Sequence, residues 1–74
     1  MMKNDIGINA GTIWHILSTN DMLNIRELGE LTGYNERNIY LALGWLSREN
    51  KIEFILKNEI LYFSLNSASS EMYY

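Results

Sequence analysis

The chain has no cysteine and no proline. The first absence removes disulfides, thiolate metal ligands and cysteine nucleophiles. The second means that helices and strands must be ended by glycine, asparagine and aspartate rather than by a ring that blocks the backbone. Cations are scarce: 6 lysines and arginines stand against 9 acidic residues, for a net charge of −3. A dedicated nucleic-acid binder carries a basic face, so an acidic total argues against that class without forbidding a local patch. No apolar run approaches the ~20 residues of a helical membrane span, and the polar stretch up to Asp5 is followed by no signal-like segment. The expectation is a cytoplasmic protein with no membrane partner. His15, the one histidine, has no companions at ligand spacing, and no glycine-rich phosphate loop is present. Glu27 and Glu30 share one helix near its positive end, an ordinary placement. Neither an enzyme nor a cofactor is expected.

What is present is enough for one small domain. Hydrophobic residues make up 47% of the 74, a globular balance with a thin core that self-association would relieve. The domain is expected over residues 1–65, with a serine-rich, frayed tail over 66–74.

Helical period appears first. With Asn4 or Asp5 as cap, Ile6, Ala10, Ile13, Trp14 and Leu17 form an apolar stripe. Met22 and Leu23 anchor the polar turn that follows. Asn24 then opens a second helix, with Glu27 in capping-box position, Ile25, Leu28 and Leu31 as the buried side, and Gly33 as the left-handed stop. Asn35 caps a third helix whose core stripe is Ile39, Ala42, Leu43 and Leu46, ended by Asn50. Two strand-like runs, Ile52 to Leu56 and Ile60 to Leu65, are joined by Lys57, Asn58 and Glu59. Both runs are apolar on both faces, so the face away from the core should also be covered. Helix, turn, helix, hairpin is the order of a winged helix-turn-helix: an α+β, mainly α fold of three helices and a C-terminal β-hairpin wing, with a short third strand near Leu23 to Ile25.

Winding the third helix at about 100° per residue puts Arg37, Tyr40, Leu41, Gly44, Trp45 and Arg48 mostly on the side away from the core. In a DNA-reading helix that side contacts bases and phosphates. The DNA-contact candidates are therefore Asn35, Arg37, Asn38, Tyr40, Arg48 and, on the wing, Lys57. Against them, Glu36 and Glu49 offset the two arginines, and Glu53 and Glu59 offset Lys51 and Lys57. Leu41 and Trp45 are odd on a wet face and suit a protein contact; the other reading of Trp45 is a cover for the wing or a neighbouring loop. The interaction-surface candidates are Leu41, Trp45, Trp14, Ile55, Phe63 and Tyr73. A homodimer surface is expected on the first helix (Ile6, Trp14), the outer hairpin face (Ile55, Phe63) and Met72, Tyr73 and Tyr74. Double-stranded DNA and another protein are the two candidate partners beyond a second copy.

Several segments carry a family resemblance: Gly11-Thr12-Ile13-Trp14, Ile25-Arg26-Glu27-Leu28, Leu31-Thr32-Gly33 and above all Ala42-Leu43-Gly44-Trp45-Leu46-Ser47-Arg48-Glu49-Asn50-Lys51-Ile52. From Ile6 to Leu65 the chain resembles a small bacterial family of very short, stand-alone winged helix-turn-helix domains of unassigned function. Asn50 stands where a glycine is usual before the wing. The resemblance implies the fold and suggests a dimer, and it supplies no operator, ligand or partner.

Overall fold

A computed structural model of the protein describes residues 3–66. The elements in chain order are α1 (Lys3–Ser18), β1 (Leu23–Asn24), α2 (Ile25–Thr32), α3 (Glu36–Arg48), β2 (Ile52–Lys57) and β3 (Ile60–Leu65). This is the expected three-helix domain with a hairpin wing, and β1 is the short third strand. The antiparallel sheet has the order β1-β3-β2, with Leu23 opposite Phe63 and Phe54 opposite Phe63 from the other side.

The helix boundaries follow from local chemistry. α1 begins before the expected cap, so Asn4 and Asp5 lie inside it and Asp5 sits in its first turn, where a carboxylate faces the positive end of the dipole. Asn24 and Glu27 form a complete capping box on α2. The Glu27 amide donates to the Asn24 side chain at 2.8 Å, and the Asn24 amide donates to the Glu27 carboxylate at 2.9 Å. Gly33 ends α2 at φ 76, and its N–H donates to the Gly29 carbonyl at 2.8 Å. α3 closes through a Schellman arrangement. Asn50, at φ 59, donates to the Ser47 carbonyl at 3.0 Å, and Lys51 donates to the Leu46 carbonyl at 2.9 Å. That turn hands the chain directly into the wing.

The core holds Ala10, Ile13, Trp14 and Leu17 of α1, Leu23, Leu28, the α3 stripe Ile39, Ala42, Leu43 and Leu46, and Ile52 and Phe63 of the sheet. α1 packs along α3 and against β3.

Four expectations are corrected. Leu31 was placed on the buried side of α2 but is 57% exposed. Steps of three residues drift by about 60° each, so the third member of the series leaves the core face. Trp14 and Phe63 were expected on a dimer surface, yet both are buried, at 6% and 3% exposure. Trp14 lies on the flank of α1 that meets the rest of the core, and Phe63 points from the central strand to the helices. The turn of the wing is one residue shorter than expected, because Lys57 belongs to β2 and pairs with Ile60. Asn58 and Glu59 alone form it, at φ 52 and 67, the signature of a type I′ hairpin. Most uncovered apolar side chains of the wing are not on its outer face. Ile55 and Tyr62, opposite each other there, are half-buried, and Ile60 at the tip of that face is exposed. The other exposed ones, Phe54, Leu56 and Leu61, share the face of Ile52 and Phe63 and run past the core toward the wing tip.

Candidate nucleic-acid and protein interface

The outward side of α3 is set by its buried side. With Ile39, Ala42, Leu43 and Leu46 in the core, Arg37, Leu41, Gly44 and Arg48 fall on the opposite side, one turn apart. All four are exposed. Among the described residues neither arginine makes an ion pair, and nor does Lys57 at the end of β2. The ion pair present there is Arg26 with Glu30, at 2.9 Å on the surface of α2. Arg37 and Arg48 are thus the cations that α3 holds out toward a partner. Gly44 lies between them, and a Cβ there would meet nothing within 4 Å.

The other candidates on α3 have different surroundings. The Asn35 side chain accepts from the Asn38 amide at 2.8 Å, so it serves as the helix cap. Asn38 is half-buried, and its Oδ1 is enclosed without a hydrogen-bond partner. That position faces the flank of α3, away from Arg37. Tyr40 is 51% exposed. It turns to the opposite flank, where it lines a cleft of about 420 Å³ with Asn24, Ile25, Arg26, Glu59, Ile60, Leu61 and Phe63. This cleft exists because β1 ends at Asn24 while β3 continues to Ile60, so the N-terminus of α2 and the wing tip diverge.

Trp45 needs correction as an exposed anchor. It is half-buried and packs against the core, with its ring near Gly7 of α1: a Cβ on Gly7 would lie 3.8 Å from the Trp45 Cζ2. The side of α3 next to its core stripe is occupied by α1, which covers the indole. Its Nε1 is buried without a partner. Leu41, in contrast, is 40% exposed, as expected. The structure therefore brings Arg37, Leu41 and Arg48 together on one face. It separates them from Asn38 and Trp45 on one flank, from Tyr40 on the other, and from Trp14 and Phe63 in the core. Met72, Tyr73 and Tyr74 lie outside the described residues. The cleft beside Tyr40 was missed by sequence reasoning. Its one sequence signal is the brevity of a strand that must end where a helix cap begins.

Comparison with known proteins agrees with this architecture. The family model described as "Winged helix-turn-helix domain (DUF2582)" matches residues 1–65. An uncharacterized protein of the archaeon Methanocaldococcus jannaschii is 38% identical over 60 residues, spanning 78% of this chain and 84% of that protein. The solution NMR structure of protein BT2368 from Bacteroides thetaiotaomicron superposes with a TM-score of 0.80 at 37% identity, covering 88% of this chain and 79% of that one. HlyU from Vibrio cholerae superposes with a TM-score of 0.69 at 20% identity, covering 92% and 84% of the two chains. That last likeness is one of fold alone.

Proposed function

Because the chain belongs to the winged helix-turn-helix domain family DUF2582, we propose that it is a small homodimeric regulatory protein that holds double-stranded DNA weakly through α3. The observation that carries this reading is the outward pair Arg37 and Arg48. They lie on the side of α3 opposite the core, without acidic partners among the described residues. Each would neutralise a phosphate or, for Arg37 near the helix start, reach a base edge. The affinity is low in this reading, because Glu36 and Glu49 flank the arginines and the protein is acidic overall. Non-catalytic function and a cytoplasmic location belong to the same proposal.

Fluorescence anisotropy with a mixed-sequence duplex tests it. Binding should fall steeply as salt rises. Arg37→Ala and Arg48→Ala should each weaken it and lower the slope of log K against log salt by about 1. Binding that ignores both substitutions refutes the DNA reading. No binding even at low salt favours the second reading, a protein-interaction module that keeps the scaffold without reading DNA. The exposed Leu41 and the apolar wing tip favour that alternative.

A further inference from the structure

β2 lies at an edge of the sheet. An edge strand leaves alternate N–H and C=O groups unpaired, and natural sheets blunt such edges with proline, bulges, short length or charged side chains. β2 has no proline and no bulge, and its two charges, Glu53 and Lys57, are of opposite sign. Its six residues run in unbroken register with β3, and Phe54 and Leu56 are 55% and 74% exposed. Which groups are free follows from the ladder. The Asn66 amide donates to the Lys51 carbonyl at 2.8 Å, and this pair continues the register of β2 with β3. Hydrogen-bonded pairs alternate in an antiparallel ladder, so Glu53, Ile55 and Lys57 also bond to β3. Ile52, Phe54 and Leu56 direct their N–H and C=O to the open edge.

We propose that this edge is where a second copy of the chain docks, its β2 adding antiparallel to the first across a two-fold axis at Ile55. The proposal rests on the homodimer in the reading above and gives it a location. Self-complementarity chooses the occupant. On one face of β2 the strand reads Glu53, Ile55, Lys57 at alternate positions. With the axis at Ile55, Glu53 lies opposite the partner's Lys57. Symmetry repeats the pair, so both charges of the strand meet their opposites. Phe54 meets the partner's Leu56. These are the residues whose backbone groups are free, so the pair exchanges two hydrogen bonds, and it extends the apolar layer in which Phe54 meets Phe63 edge to face at 5.5 Å. The neighbouring registers fail. An axis at Phe54 sets Glu53 against the partner's Ile55, and an axis at Leu56 sets Lys57 against the partner's Ile55, so neither pairs the charges of the strand. An axis between two residues aligns free backbone groups with groups already bonded to β3. Strand addition supplies affinity through the main chain, and the charges fix the register.

Sedimentation equilibrium of the full chain at low salt tests the proposal. The wild-type protein should dimerise, and Glu53→Lys or Lys57→Glu alone should each raise the dissociation constant about tenfold or more, since each places two like pairs across the axis. The double variant Glu53→Lys/Lys57→Glu restores opposite pairs and should recover the wild-type constant to within about threefold. Leu56→Pro removes an N–H that β3 does not use and should give a folded monomer by circular dichroism. If that variant fails to fold, the charge-swap cycle still decides. A wild-type monomer at about 100 μM overturns this proposal together with the homodimer, while the DNA titration judges α3 separately. A dimer that ignores the reversals, or that the double variant does not recover, places the interface elsewhere and leaves the homodimer standing.

Discussion

Replacing Gly44 by alanine probes the proposed role of α3 through two independent readouts. Gly44 is in the middle of a 13-residue helix, on its exposed side, and a Cβ there has nothing within 4 Å. Its backbone is helical, so no positive φ requires glycine. Within the domain alanine should be better by about 1 kcal/mol, because glycine loses more backbone entropy in a helix interior. For a domain of this size that is a rise of about 4–8 °C in Tm. Thermal and urea melts by circular dichroism, at matched protein concentration so that dimerisation does not move the midpoint, give the number. Unchanged or lowered stability would refute the reasoning, because it would mean that some part of the chain closes on Gly44. The same variant then separates stability from recognition. If α3 enters a groove, the added methyl stands between its backbone and the duplex. Affinity should then fall at every salt concentration while the salt slope stays the same, since no charge has changed. A stabilised variant with unaltered DNA affinity would place Gly44 away from the duplex.

Two further substitutions test local structure. Asn24→Ala removes the side-chain half of the capping box on α2 and should cost about 1 kcal/mol, seen as a lower urea midpoint with an unchanged slope. An equal midpoint would show that the cap is replaced by solvent. Glu59→Gly should stabilise the domain by up to about 1 kcal/mol, because φ 67 at the second turn position suits glycine and strains a side chain; a loss of stability would mean that the Glu59 side chain holds the wing through contacts worth more than that strain.

Local chemistry determined much of this protein. Asn24 with Glu27, Gly33, Asn35 and Asn50 ended or opened helices as their side chains and permitted φ values require. The period of Ile39, Leu43 and Leu46 fixed which side of α3 is buried, and with it the outward direction of Arg37, Leu41 and Arg48. These features depend on residues within one or two turns of each other, so spacing alone reveals them. The flanks were decided by tertiary structure. Whether Trp45 and Trp14 are wet depends on where α1 lies, and whether Phe63 is covered depends on its place in the central strand, with β1 and β2 on either side. Periodicity gives the direction of a side chain relative to its own element. It does not say which neighbour fills the space beyond. The edge position of β2 is of the same kind. The placement of Glu53 and Lys57 on either side of Ile55 is present in the sequence, but it acquires a meaning only when β3, and not β2, is the strand that pairs with β1.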